Sequence, residues 1–92
     1  MKTIGIAWYR NSEDYDKIKA LSIDGAEMPS SYEDWFLQVQ EVYSRFEAEG
    51  SVIERAYIDP ESFPAWCSAR GLKINGVARA SFADDFVASL ES

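Results

Sequence analysis

The residues able to do chemistry are few, because the chain has no histidine and a single cysteine, Cys67. Catalysis by Ser-His or Cys-His pairs is therefore excluded within one chain, as are metal sites built on histidine or several thiolates. The lack of an internal disulfide is compatible with a reducing compartment. A reactive thiol would need nearby cations to lower its pKa, and Arg70 lies one helical turn away while Glu61 opposes it. We predict instead that Cys67 packs in the core beside Phe63 and Trp66.

The carboxylates offer no convincing catalytic pair. Asp84 and Asp85 are adjacent, and the helical pattern places both on the outer face of the last helix, where acids are normally just solvated. No spaced motif for Mg²⁺ or Ca²⁺ is present, so we expect neither a metal nor a cofactor. The chain is therefore not expected to be an enzyme, although chemistry by Asp, Glu, Lys or Tyr is not excluded.

Arg79 is the most unusual charged residue. Helical spacing places it on the same face of the last helix as Phe82, and a charge on an apolar face is costly unless it is paired. Its predicted partners are Asp59, Glu61 and Glu54. A structural ion pair is the favoured interpretation. The alternative is an anion-binding arginine near a helix N-terminus.

Four further residues are candidates for a binding pocket with Arg79: Asp59, Trp66, Arg10 and Tyr57. Arg10 follows the first predicted strand, and Asp59 follows the second. The two strand ends would coincide only if the strands are parallel neighbours, since an antiparallel arrangement would separate them.

The elements that must position these residues follow the order β-α-α-β-α-α. This order predicts a small single α+β domain over residues 1–92, with a two-stranded sheet covered by helices. Because two helices between the strands would return the chain to its starting end, antiparallel strands are favoured over parallel ones. Two strands alone are marginal in water, and an unpaired edge invites self-association.

Alternating side chains define the first strand, residues 3–9. Ile4, Ile6 and Trp8 lie on one face, whereas Gly5 and Ala7 lie on the other, which can therefore be approached closely. The second strand is predicted at residues 52–58.

The clearest helix follows a capping box of Ser30 with Glu33 and ends at Gly50. The other helices are predicted from Asn11 to about Leu21, from Asp59 or Ser62 to about Arg70, and from about Val77 to Leu90.

One stretch carries a resemblance. It reads Asp-Pro-x-x-Phe-Pro-x-Trp-Cys over residues 59–67, with Trp8-Tyr9 before it and Ala-Arg-x-x-Phe over residues 78–82 after it. In these segments the chain resembles a group of short, uncharacterised bacterial proteins of unknown function. The resemblance covers most of the chain and implies a shared fold, but no activity and no functional residues.

Charge narrows the classes of partner. Sixteen acidic residues oppose nine basic ones, giving a net charge of −7, which disfavours contact with nucleic acid or an anionic membrane. No run approaches the length of a membrane span, and no signal peptide is recognisable at the start, so we expect a cytoplasmic protein. The favoured function is a small acidic module that binds a basic protein partner. The alternatives are a small-molecule or anion-binding domain that uses Arg79, and a structural homodimer.

Overall fold

Two parallel strands form the centre of the structure, which is a computed structural model that describes residues 2–91. The elements in chain order are β1 (Thr3–Trp8), α1 (Ser12–Leu21), a 3₁₀ turn (Gly25–Glu27), α2 (Tyr32–Ala48), β2 (Val52–Tyr57), α3 (Phe63–Ala69) and α4 (Gly76–Glu91). The predicted α+β class and the order β-α-α-β-α-α are confirmed.

The favoured antiparallel orientation is wrong, because β1 and β2 pair in parallel from Thr3 opposite Val52 to Trp8 opposite Tyr57. The reason lies in the two helices between the strands. α1 packs on the 3₁₀ turn and on α2 rather than along the sheet. Only α2 runs back along the strands, and its 17 residues span about 25 Å, more than the roughly 20 Å of a six-residue strand. One return crossing gives parallel strands.

The sheet lies between α2 and α4. The Trp8 ring contacts α2, with its centroid 5.1 Å from that of Trp35 and 5.9 Å from that of Tyr43. On the other face, a Cβ added to Gly5 would lie 2.5 Å from the carbonyl oxygen of Ala83 in α4. The predicted alternation along β1 is therefore confirmed, and the absence of a side chain at position 5 lets the α4 backbone approach the strand.

The helix ends largely follow the sequence signals. The Asn11 side chain accepts a hydrogen bond from the Asp14 N–H and caps α1. The cap of α2 is Ser31, which accepts from the Asp34 N–H at 3.1 Å, so the predicted Ser30 cap is one residue early. Gly50 and Gly71 have φ values of 84° and 67° and end α2 and α3. Among residues 2–91, no helix is long and apolar enough to cross a bilayer.

The main core lies at the carboxyl ends of the strands, where α1, α3 and α4 converge. Its most deeply buried side chains are those of Tyr15, Ile18, Ile58, Phe63, Cys67 and Ala78. The Tyr15 hydroxyl is satisfied by donating to the Pro29 carbonyl at 2.6 Å. The core burial predicted for Cys67 is confirmed, whereas the last apolar residues of two helices, Leu21 and Leu90, are exposed.

Candidate functional site

Arg79 has a partner, but not one of those predicted. Its Nη2 donates to Asp24 Oδ2 at 2.8 Å, and its Nη1 donates to Asp24 Oδ1 at 3.2 Å and to Ser22 Oγ at 3.0 Å. Asp59, Glu61 and Glu54 were wrong as partners, because the loop after α1 reaches the start of α4. No local spacing signals this contact, since Asp24 lies 55 residues before Arg79.

The Asp24 carboxylate also lies at the N-terminus of α4, which is where a bound anion would accept hydrogen bonds from the helix. Its Oδ2 accepts from the Gly76 N–H at 3.0 Å, and the hydrogen bonds from Arg79 hold the pKa of Asp24 below its usual range. An anion drawn to Arg79 and this helix end would have to displace an internal carboxylate. The Arg79–Asp24 pair therefore joins the loop after α1 to the start of α4, and we call this pair the clasp.

Arg10 and Asp59 meet where the two strands end. Arg10 Nη2 lies 3.5 Å from Asp59 Oδ1, and Arg10 Nε donates to Asp14 Oδ2 at 2.7 Å. The parallel orientation brings these two candidates together, because each follows a strand that ends at the same end of the sheet. More than half of the Arg10 side chain is in solvent and both contacts are to carboxylates, so the charge is locally compensated.

Trp66 and Tyr57 lie apart from both ion pairs. Trp66 packs among Phe63, Phe82 and the Arg70 guanidinium, which lies 4.1 Å from its ring centroid. Tyr57 is 45% exposed on β2. The five candidate residues therefore occupy several places and do not line one pocket.

Cys67 offers no reactive centre. Its side chain is buried in the main core, and burial raises the pKa of the thiol despite the opposing charge of Arg70. Residues 2–91 also contain no cluster of three carboxylates or thiols suited to a metal ion.

The most distinctive feature of the molecule is the free edge of β1. The Val52 N–H donates to the Lys2 carbonyl at 2.8 Å, and the Ile58 N–H donates to the Trp8 carbonyl at 2.9 Å. In a parallel pair, alternate residues of a strand bond to the same neighbour. The main-chain N–H and C=O groups of Thr3, Gly5 and Ala7 therefore point away from β2, and no other strand within residues 2–91 pairs with them.

A groove runs along this edge, and we call it the β1 groove. Its floor is the edge from Ile4 to Ala7, one wall is Trp35 and Phe46 of α2, and the other wall is Ala80, Ala83 and Asp84 of α4. This part has a volume of about 480 Å³.

A second depression of about 300 Å³ continues the β1 groove past Lys2, Thr3 and Val87. Because Ile4, Gly5, Phe46 and Asp84 line both depressions, the groove follows the whole length of the strand. At its far end lie Tyr9 and Arg79, where burial raises the pKa of the Tyr9 hydroxyl to about 12.

The β1 groove is not predicted from the sequence, although two of its signals are present there. An unpaired strand edge was expected, and so was close approach to the face that carries Gly5 and Ala7. What the sequence does not show is that α2 packs on one face of β1 and α4 on the other, with the edge between them.

Comparisons with known proteins found no match: no family model, curated protein or solved structure matches this chain. The resemblance carried by residues 59–67 stays a prediction.

Proposed function

We propose that this domain is a cytoplasmic protein-interaction module that binds an extended segment of a partner protein as a third strand along the free edge of β1. The observation that carries the proposal is the unpaired edge of Thr3, Gly5 and Ala7 on the floor of the β1 groove. Unpaired edges are templates for strand addition, in which main-chain hydrogen bonds supply affinity and flanking pockets supply specificity. The single thiol of Cys67 is in keeping with a reducing compartment.

The dimensions suit one extended chain. β1 has six residues, so its edge is about 20 Å long and can pair with a segment of about six residues. Trp35 and Phe46 are half-buried on the α2 wall and would be covered by apolar side chains of such a segment.

A second copy of the chain fits the same edge poorly. The backbone of α4 lies directly over β1, as its contact with Gly5 requires. Two β1 strands paired about a two-fold axis would be about 5 Å apart. Their α4 helices would lie on the same face at a similar separation, whereas packed helices need about 8–10 Å between axes. Steric exclusion therefore favours a peptide segment over a homodimer through this edge.

Anion binding at Arg79 is less well supported, because both terminal nitrogens of its guanidinium are already engaged by Asp24 and Ser22. A ligand would have to break the clasp that joins the α1 loop to α4.

The test is a selection from a random dodecapeptide display library, followed by amide hydrogen exchange of the complex. We expect the selected peptides to slow exchange at the Gly5 and Ala7 amides, which face the free edge. The Ile4 and Ile6 amides bond to β2 already and serve as internal controls. Failure to select any peptide would overturn the proposal, as would selected peptides that leave the Gly5 and Ala7 amides unprotected.

Two further measurements separate the alternatives. A bound peptide can be N-methylated at either of its two sets of alternate residues. Methylation of one set should abolish binding and methylation of the other should leave it intact, since only alternate N–H groups face β1. Sedimentation of the free domain should give the mass of one chain. A dimer that protects the same two amides would replace the peptide proposal by the homodimer.

A further inference from the structure

The α4 wall of the β1 groove has a regular chemical pattern. Gly76, Ala80 and Asp84 follow one another at intervals of four residues, so they form a ridge with a spacing of about 6 Å. Alternate side chains of an extended strand are about 6.6 Å apart. Successive side chains of an added strand that point to α4 can therefore each meet one residue of this ridge.

The residues of this ridge differ in size and charge from one end to the other. Gly76 lies at the Tyr9 end beside Arg79, and Asp84 lies at the other end, where Lys2 and Val87 border the groove. Gly76 has no side chain and Ala80 has only a methyl group, so this part of the wall leaves room for a large apolar side chain of the added strand. Asp84 presents a negative charge instead.

Asp84 differs from its neighbour Asp85 in its ion pairing. Asp85 pairs at 3.6 Å with Arg70, the C-cap residue of α3. Asp84 forms no ion pair among residues 2–91, and Lys2 forms none with it. In a chain of net charge −7, this carboxylate faces the groove that the proposed function assigns to a partner.

We infer that the partner segment carries a lysine or arginine on its α4-facing side, opposite Asp84, with apolar side chains on the side facing α2. The inference rests on the proposed strand addition and names the class of segment that the groove selects. A basic side chain there complements Asp84 and the acidic surface, whereas an acidic one is repelled by both. Complementary charge of this kind fixes the register of the added strand.

The experiment compares three forms of the full chain: wild type, Asp84→Lys and Asp85→Lys. Both variants change the net charge by the same amount at exposed positions of α4, so circular dichroism should show that both fold. Peptides selected on the wild type are expected to share one basic position. They should bind Asp84→Lys at least roughly tenfold more weakly and bind Asp85→Lys within about twofold of wild type.

Specificity reversal is the decisive step. Replacing the shared basic residue of the peptide by glutamate should weaken binding to wild type and restore binding to Asp84→Lys. If peptides protect the Gly5 and Ala7 amides but show no such reversal, the inference about the basic residue is overturned while the strand-addition proposal stands. If Asp85→Lys weakens binding as much as Asp84→Lys, only the overall charge matters and the inference is again overturned.

Discussion

Gly5→Ala tests the feature on which the β1 groove depends, which is the approach of α4 to the middle of β1. The added Cβ would lie 2.5 Å from the Ala83 carbonyl oxygen, 2.7 Å from Val87 Cγ2 and 3.0 Å from the Ala83 carbonyl carbon. Two of these atoms belong to the helix backbone, which cannot rotate away as a side-chain tip can. The methyl group is accommodated only if α4 moves away from the sheet.

The expected cost follows from two opposing effects. Overpacking of this kind costs about 1–3 kcal/mol, and replacing glycine within a strand returns roughly 0.5–1 kcal/mol. We therefore expect a net loss of roughly 1–2 kcal/mol, which for a domain of this size lowers the melting temperature by about 5–15 °C. Urea unfolding followed by circular dichroism measures this loss of stability. An unchanged m-value would show that the variant exposes the same amount of surface on unfolding as the wild type.

Gly76→Ala is the matched control, because it makes the same chemical change at the first residue of α4. A Cβ there would meet its nearest atoms at 3.5 Å, an ordinary contact. Alanine favours a helix over glycine by up to about 1 kcal/mol, so this variant should be neutral or slightly more stable. If Gly5→Ala unfolds at the wild-type urea concentration, α4 does not lie against β1 as described and the groove loses its α4 wall.

Three further predictions concern ionisable groups. Because the folded pKa of Asp24 is lowered from its ordinary value of 3.8, the stability due to its pairing with Arg79 is present above that value and lost as the pH falls through the folded pKa. Asp24→Asn should therefore cost roughly 1–3 kcal/mol at neutral pH and progressively less as the pH is lowered below 3.8, and a cost independent of pH would contradict the assignment. Since the pKa of Tyr9 is raised from 10.0 to about 12, wild type should lose stability as the pH rises above 10, and Tyr9→Phe should lose less between roughly pH 10 and 12; equal losses would argue against a buried phenol. Native Cys67 should react with a thiol reagent roughly a hundredfold more slowly than glutathione and at a normal rate in denaturant, and fast labelling of the native protein would show that the thiol is accessible.

The local sequence determined the elements and most of their ends. Asn11 before Glu13 and Asp14, and Asn75 before Gly76, begin helices because their side chains cap free N–H groups within three residues. Gly50 and Gly71 end helices because both adopt positive φ. The alternation of large and small side chains in β1 likewise predicted which face could be approached closely, since strand side chains alternate with a period of two.

The tertiary structure alone decided the strand orientation, the partner of Arg79 and the site. Orientation depends on which helix makes the return crossing along the sheet, and the amphipathic patterns of α1 and α2 do not specify that. The Arg79–Asp24 pair joins residues 55 positions apart, so no local spacing reveals it. The free edge of β1 became a groove only because α2 and α4 pack on opposite faces of the same strand, and Asp84, which as sequence was one of two adjacent surface acids, lies on one wall of that groove.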